Sequence, residues 1–280
     1  MQEALQTFGY WNGRIVPVED MHISPQDLGV LRGYGVFDVM RTENGKPFLL
    51  DKHWARLENS AATLDLTLPV SKEVYGTILS ELLQKNGFAQ SSIRTVLTGG
   101  PSEDSFLPQG KETFFILVTP FHGLEERYYT DGAKLMTLDF SRHLPQAKIT
   151  QYIAAIKNAK RKKEMDALEI LYVQDGKALE ASTSNFALFI GDTLVTPKQD
   201  ILLGITRDLT LRLAKEAGFA VEEREVTWEE VAAADEVLLM ATNKYIVPVV
   251  QVDERVVRDG KPGARTKKLM QAMQEFVRAY

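Results

Sequence analysis

The sequence has no cysteine, few histidines and no strong excess of either charge. Because none of the 280 residues is cysteine, disulfides, thiolate catalysis and zinc–thiolate sites are excluded. The 4 histidines are scattered and form no HExxH pattern, so we expect no metal site. A net charge of −5 and a pI near 5.6 argue against a nucleic-acid or anionic-membrane partner, since either usually requires a basic surface.

Long apolar runs are also missing. No stretch approaches the roughly 20 apolar residues of a membrane span, and the opening MQEALQTFGY lacks the basic-then-apolar order of a signal peptide. We therefore expect a cytoplasmic protein. The basic run KNAKRKK at 157–163 is interpreted as the solvated face of a helix. With 44% hydrophobic and 25% charged residues, the chain is typical of an ordinary globular enzyme.

The order of strands and helices predicts an α+β fold in two domains. Hairpins are predicted where Asn-Gly lies between β-prone runs, and mixed elements without a βαβ rhythm argue against a doubly wound sheet. The polar, glycine-containing segment FHGLEERYYTDG is typical of a connection between domains. The predicted parts are an N-terminal α+β domain at 1–120, an interdomain loop at 121–132 and a C-terminal domain at 133–280.

Capping residues and periodicity predict individual elements. Asp51 is the predicted N-cap of a helix at 52–66, and Ser71 is that of a helix at 72–85. The run ALEASTSNFALF at 178–189 is predicted as one strand.

Several stretches contain residue types that suit a phosphorylated aldehyde cofactor. They are KITQY (148–152), LEASTSNFALF (179–189), TPKQDILLGITR (196–207) and MATNKYIVPV (240–249), with RGYGVFD (32–38) and HWARLENSAATL (53–64) upstream. Together they resemble the class IV aminotransferases, the fold-type IV pyridoxal phosphate enzymes that include D-amino-acid and branched-chain aminotransferases and aminodeoxychorismate lyase. The resemblance implies a pyridoxal phosphate-binding domain at 133–280 and a homodimer whose active site is shared across the interface.

A pyridoxal phosphate enzyme needs a primary amine that can lose its proton near neutral pH. Lys148 has small and apolar neighbours, ITQYIAAI, which favour the uncharged amine by desolvation. The resemblance identifies Lys148 as the Schiff-base lysine and Tyr152 as a tyrosine close to the lysine and the cofactor. The alternative is a surface lysine at a loop edge.

The pyridine nitrogen of the cofactor needs a carboxylate beside it to keep its proton. Glu180 lies among apolar and small residues, where an unpaired carboxylate would be costly to bury. The resemblance places the ring-nitrogen partner at Glu180, with Asn185 completing an E-x-S-x-x-N pattern. The alternative is a solvent-facing glutamate near the Asp175-Gly176 turn.

The phosphate needs backbone donors, and Gly204 allows a tight turn into a helix whose first N–H groups attract an anion. Simple capping would explain the same pattern, and Arg56 could be an ordinary arginine of an amphipathic helix. The resemblance assigns phosphate contacts to Arg56, Ile205, Thr206 and Thr242, and packing against the ring to Leu202.

The choice of substrate depends on two arginines. Arg32 resembles the arginine that, in a less common subset of D-amino-acid aminotransferases, crosses the dimer to bind the substrate α-carboxylate; a salt bridge at the interface is the alternative. Arg94 stands where branched-chain enzymes bind a distal carboxylate, although it could instead pair within the sheet. The residues assigned to the substrate by resemblance are Arg32, Phe37, Arg94, Thr242 and Asn243.

Some positions depart from the D-amino-acid pattern. Thr98-Gly99-Gly100 lacks the usual arginine, Phe37 is closer to the branched-chain pattern, and Thr183 replaces a second arginine of the unusual subset. We expect a transaminase that uses D-amino acids such as D-alanine or D-glutamate with 2-oxoglutarate or pyruvate. The alternatives are a branched-chain L-amino-acid aminotransferase, aminodeoxychorismate lyase, and a cofactor-free relic acting as a structural or binding protein.

Overall fold

The structure, a computed structural model, describes residues 6–280, and its contacts divide them into two units. Unit 1 contains residues 6–122 and 147–151, and unit 2 contains residues 123–146 and 152–280. Residues 1–5 lie outside the described residues, and with them lies the start of both the predicted 1–120 domain and the segment compared with a signal peptide. Among the described residues, no helix has the length and apolar character needed to cross a membrane.

Unit 1 is an antiparallel sheet with two long helices on one face. Its strands are β1 (Phe8–Trp11), β2 (Arg14–Pro17), β3 (Gly35–Glu43), β4 (Lys46–Pro47), β5 (Ser91–Thr98) and β6 (Thr113–Pro120). Its helices are α1 (Leu28–Arg32), α2 (Leu50–Thr63) and α3 (Lys72–Asn86), with a 3-10 turn at Val18–Asp20. The sheet order is β2-β1-β6-β5-β3-β4. Alternate residues of β3 and β5, such as Val36, Met40 and Ile93, form the core with Trp54 of α2 and Leu79 of α3.

The two long helices of unit 1 begin differently. Ser71 caps α3 as predicted, because its hydroxyl accepts a hydrogen bond from the Val74 N–H at 3.4 Å. The prediction that Asp51 caps α2 is wrong. The helix begins at Leu50, after Leu49 with φ 54°, and no side chain in the described part of the chain caps it. Asp51 lies instead in the first turn, where a negative charge interacts favourably with the helix dipole.

Residues 147–151 group with unit 1, although the sequence analysis included them in the domain at 133–280. The reason is main-chain pairing with β3. Ile149 forms an antiparallel bridge with Val36, and the Thr150 N–H donates to the Gly35 carbonyl at 3.0 Å. Ile149 is also part of the unit 1 core.

Unit 2 is built on a nine-stranded mixed sheet. Its strands are β7 (Ala133–Asp139), β8 (Glu169–Gln174), β9 (Lys177–Ala181), β10 (Asn185–Ile190), β11 (Thr193–Thr196), β12 (Ala220–Glu223), β13 (Glu236–Ala241), β14 (Tyr245–Val252) and β15 (Arg255–Val256). Its helices are α4 (Arg127–Thr130), α5 (Ile153–Lys157), α6 (Ala159–Glu164), α7 (Ile205–Glu216), α8 (Trp228–Ala233) and α9 (Ala264–Ala279). The order is β12-β11-β10-β13-β14-β7-β8-β9, and β15 pairs with β14.

The prediction of one strand at 178–189 is wrong. The segment forms β9 and β10, separated by a turn at 182–184 that is closed by a hydrogen bond from the Ala181 N–H to the Ser184 carbonyl at 2.8 Å. The serines and threonine of the turn bond to a buried glutamate described below, which offers their polar groups an alternative to a strand ladder. The turn places Glu180 just before it and Asn185 just after it.

Candidate active site

Lys148 lies on an extended segment beside β3 of unit 1. The Lys148 carbonyl accepts a hydrogen bond from the Phe37 N–H at 2.9 Å, and its own N–H donates to the Ser60 hydroxyl at 3.0 Å. Ala147 and Ile149 on either side are buried in the core, so alternation turns the lysine side chain away from that core. Its Nζ lies 4.7 Å from the centre of the Phe37 ring.

Two basic side chains of unit 1 lie close to the Phe37 ring. The Arg94 guanidinium is 5.1 Å from the ring centre, and Lys148 approaches the same ring. Phe37 and Arg94 share one face of the sheet, because Phe37 pairs with Val96 and Val39 pairs with Arg94 in the β3–β5 ladder. The structure therefore brings three of the predicted site residues together, on the face opposite the helices.

Arg56 is held by a buried carboxylate. Its guanidinium donates from Nε to Asp38 Oδ2 at 2.7 Å and from Nη2 to Asp38 Oδ1 at 3.0 Å. Burial alone would raise the pKa of Asp38, but the charge of Arg56 and the hydrogen bonds from His53 and Arg56 outweigh it and hold the pKa well below its usual range. The bidentate pair fixes the direction of the arginine, the predicted phosphate ligand.

His53 completes this cluster and was not assigned a role from the sequence. Its Nδ1 lies 2.6 Å from Asp38 Oδ1, and burial lowers the pKa of His53 more than Asp38 raises it. The imidazole is therefore neutral at pH 7 and donates its Nδ1 proton to the carboxylate. Its buried Nε2, an acceptor in this tautomer, has no hydrogen-bond partner within residues 6–280.

Arg32 is the last residue of α1 in unit 1, and it is exposed. Its Nη1 donates to the Leu31 carbonyl at 3.0 Å, and its guanidinium stacks on the Phe106 ring at 4.6 Å. Phe106 is itself 73% exposed. The helix is anchored by the buried Asp27, which caps it through the Gly29 N–H and accepts from Thr98 and Thr113.

In unit 2, Glu180 is buried and paired with an arginine that the sequence analysis missed. Glu180 Oε1 accepts from Arg142 Nε at 2.6 Å, and Oε2 accepts from the Leu202 N–H at 3.0 Å. Arg142 also donates to the Pro145 carbonyl at 2.6 Å. The arginine places a positive charge beside this buried carboxylate, and a carboxylate is the group needed beside a pyridine nitrogen. No local pattern around Arg142 indicated this contact, because Glu180 lies 38 positions away.

Leu202 connects Glu180 to the start of α7. Its N–H bonds to Glu180, and its carbonyl accepts from Asn185 Nδ2 at 2.7 Å. At Gly204, the N-cap of α7, an added Cβ would lie 2.0 Å from Asn185 Oδ1, so glycine permits this close approach. Leu202 is therefore held through both its N–H and its carbonyl.

The first turn of α7 has the features of an anion site. Ile205 and Thr206 are buried, and no side chain of the described residues caps the helix at Gly204. Twelve residues long, the helix directs unpaired N–H groups and the positive end of its dipole toward this point. These donors fit a phosphate group. Arg207 has a structural contact instead, because its guanidinium donates to the Pro197 carbonyl and to Glu223.

The other predicted residues of unit 2 lie at turns. Thr242 is partly buried and Asn243 is exposed, in the turn between β13 and β14. Tyr152 is the N-cap residue of α5. Burial, together with the electrostatic effect of Tyr152, raises the pKa of Tyr172 to about 12.

The known proteins that this chain resembles are aminotransferases. The family model described as amino-transferase class IV matches residues 35–252. A Methanocaldococcus jannaschii protein named as a branched-chain-amino-acid aminotransferase is 32% identical over 278 residues, covering 95% of each chain. A Listeria monocytogenes D-alanine aminotransferase is 31% identical over 279 residues, covering 96% of each. The solved structure of the T.th. branched-chain amino acid aminotransferase with pyridoxamine 5'-phosphate has a TM-score of 0.90 at 25% identity, covering 98% of this chain and 95% of its own.

Proposed function

Because this chain belongs to the class IV aminotransferase family, we propose that it transfers an amino group from a D-amino acid to a 2-oxo acid such as 2-oxoglutarate or pyruvate. Class IV aminotransferases use pyridoxal phosphate. When bound, this cofactor supplies an aldehyde that takes up the amino group and a ring that withdraws electrons from the reacting carbon.

One observation carries the proposal: the buried Glu180 carboxylate and the first turn of α7 are tied together through Leu202. A carboxylate at one end and helix N–H donors at the other match the two polar ends of the cofactor, its ring nitrogen and its phosphate. Thr206 and Thr242 would add hydroxyl donors to the phosphate. Arg56, aimed by Asp38, would add a guanidinium.

Lys148 would hold the cofactor covalently and then move the proton at the Cα atom of the amino acid. Its amine lies 4.7 Å from the centre of the Phe37 ring, on the segment that pairs with β3. Tyr152 would lie beside the cofactor. These residues bind, orient and transfer protons, while the electronic work belongs to the ring.

The preference for D-amino acids rests on Arg32. A guanidinium binds a carboxylate through two parallel hydrogen bonds, and Arg32 lies at an exposed helix end where a neighbouring molecule can reach it. The D-alanine aminotransferase of Listeria monocytogenes, 31% identical, supports the same substrate class.

A branched-chain L-amino-acid aminotransferase is the second candidate. It is favoured by Phe37 and Arg94, which share one face of the sheet as an apolar wall beside a cation. Such a wall suits an aliphatic side chain, and the cation suits the distal carboxylate of a dicarboxylic partner. The M. jannaschii relative supports this reading.

The half-reaction separates the two candidates. Purified protein loaded with pyridoxal phosphate is mixed with one amino acid and no acceptor, and the absorbance of the bound cofactor is followed. We expect D-alanine or D-glutamate to bleach the band and L-leucine to leave it unchanged. Bleaching by L-leucine or L-valine instead would establish the branched-chain activity, and release of 4-aminobenzoate from aminodeoxychorismate without an oxo acid would establish the lyase.

A lysine variant tests the catalytic assignment. Lys148→Ala should lower the rate of the half-reaction by at least about 10²–10⁴-fold, the usual contribution of a positioned base. Borohydride reduction of the wild type should attach the cofactor to the peptide containing Lys148, as read by mass spectrometry. Lys157→Ala, which changes an exposed lysine of α5, is the matched control and should leave both results unchanged. A cofactor attached elsewhere in the wild type would contradict the assignment.

We also propose a homodimer. Unit 1 exposes apolar side chains on and near α1: Val30 is 60%, Phe106 73% and Leu107 65% exposed. Such side chains gain from burial against another copy. Sedimentation equilibrium should give twice the 31.5 kDa chain mass, and Phe106→Glu should shift the equilibrium toward monomer.

A further inference from the structure

A buried lysine without a place in the reaction described above joins two turns of unit 2. Lys244 is only 4% exposed. Its Nζ donates to the Glu169 carboxylate, to the Ser184 hydroxyl at 3.0 Å and to the Thr183 hydroxyl at 3.3 Å. An ammonium group has three donors, so these three acceptors occupy all of them. Lys244 therefore acts on its neighbours and not directly on a ligand.

Glu169, the first residue of β8, accepts hydrogen bonds from the turn at 182–184. It accepts from the Thr183 N–H at 2.6 Å, from the Ser182 hydroxyl at 3.2 Å and from the Ser184 hydroxyl. Burial would raise the pKa of Glu169, but Lys244 and these hydrogen bonds lower it below its usual value. The charged pair consequently cross-links the turn at 182–184 to the turn at 242–244.

Both turns leave the sheet at one edge. The strands β10 and β13 are antiparallel neighbours, and their ladder pairs Asn185, the first residue of β10, with Met240, near the end of β13. The second turn is held from another side by the Tyr129 hydroxyl, which donates to the Lys244 carbonyl at 3.1 Å. The turn also ends at Tyr245 with φ 55°, a left-handed conformation that a bulky residue keeps only where its surroundings enforce it.

We propose that Lys244, through its pair with Glu169, is a positioning residue that presets the 242–244 turn for binding the substrate and the cofactor phosphate. The inference rests on the proposed function, since Thr242 and Asn243 are the groups whose position it sets. A turn fixed in advance need not be ordered on binding, so the pair contributes to affinity more than to the chemical step.

The test compares two buried pairs at opposite ends of β13. Lys244→Met breaks the pair with Glu169, just after the last residue of β13. Glu236→Gln replaces the carboxylate at the first residue of β13, which bonds to Thr266 at the start of α9, by a neutral amide. Thermal unfolding, kcat, KM for the amino acid and Kd for pyridoxal phosphate are measured for the holoenzymes. The amino acid is whichever of D-alanine and L-leucine the wild type turns over faster.

Both variants should unfold at lower temperature, but only Lys244→Met should raise KM and Kd, by about tenfold or more, with a smaller change in kcat. Glu169→Gln, which keeps an acceptor oxygen for Lys244, is the milder variant if Lys244→Met does not fold, and it should raise KM in the same direction by less. Equal KM values in the Lys244, Glu169 and Glu236 variants would overturn the inference and leave a purely structural pair. A wild type that neither binds pyridoxal phosphate nor reacts with any amino acid would instead refute the proposed function.

Discussion

Replacing Arg142 by methionine removes the cation that faces the buried Glu180 carboxylate. The two side chains are 10% and 6% exposed, and their N–O distance is 2.6 Å. In the variant the Leu202 N–H still donates to the other oxygen of Glu180, but the charge of the carboxylate is no longer balanced by the arginine. The arginine also bonds to the Pro145 carbonyl, so the local loop loses an anchor as well.

The magnitude follows from the burial of the pair. Removing one partner of a buried ion pair destabilises a protein by about 3–5 kcal/mol, because a charge remains in a poorly hydrated site. At about 2–4 °C per kcal/mol for a protein of this size class, the apparent Tm should fall by about 6–20 °C. Arg142→Lys keeps a positive charge beside Glu180 but loses the second guanidinium contact, to the Pro145 carbonyl. The Tm of this variant should therefore fall by a smaller amount.

The assay is thermal unfolding of the cofactor-free protein, monitored by circular dichroism. Arg224→Met is the matched control in the same unit: Arg224 pairs with Glu230 at the surface, where the side chains are 39% and 26% exposed. Solvent screening limits such a pair to about 0–1 kcal/mol, so its Tm should change by less than about 4 °C. If Arg142→Met lowers Tm no more than Arg224→Met does, the buried ion pair adds no more stability than an exposed one and the reasoning is refuted.

Two further predictions concern the surroundings of the site. Because burial lowers the pKa of His53, the folded protein takes up fewer protons than the unfolded chain as pH falls below about 6.5, and stability is lost there. His53→Gln should reduce the loss of unfolding free energy by up to about 1.4 kcal/mol per pH unit between pH 6.5 and 5. Tm measured over this range should therefore fall less steeply in the variant than in the wild type, whereas parallel profiles would contradict the assignment. The contribution of Asp38, whose pKa is depressed, should be lost only below about pH 4. Gly204→Ala should displace the buried Asn185 amide, destabilise the protein by about 1–3 kcal/mol and weaken binding of pyridoxal phosphate in an absorbance titration; unchanged affinity would show that the start of α7 does not hold the phosphate.

The resemblance to class IV aminotransferases and the α+β fold of fold-type IV are confirmed. These conclusions were accessible from the sequence because they depend on short patterns. The Gly-Ile-Thr start of α7 and the Ser71 cap of α3 are each encoded within a few residues, so the local sequence was sufficient to locate them.

Two predictions made from local patterns were wrong. The run at 178–189 has the composition of one strand, yet Glu169 and Lys244 draw its middle residues into a turn. Asp51 is of a residue type that often caps helices, but α2 begins one residue earlier, at Leu50. The polar groups of the 182–184 turn bond to partners that no neighbouring position could reveal.

The sequence by itself determined the family, the order of the motifs and the residue types that suit the cofactor. Only the tertiary structure showed which groups hold those residues in place: Arg142 bonds to Glu180 across 38 positions, and Lys244 bonds to Glu169 across 75. The physical reason is that a buried charge must be balanced by an opposite charge. The balancing residue needs to be close in the fold, and it can be distant in the sequence.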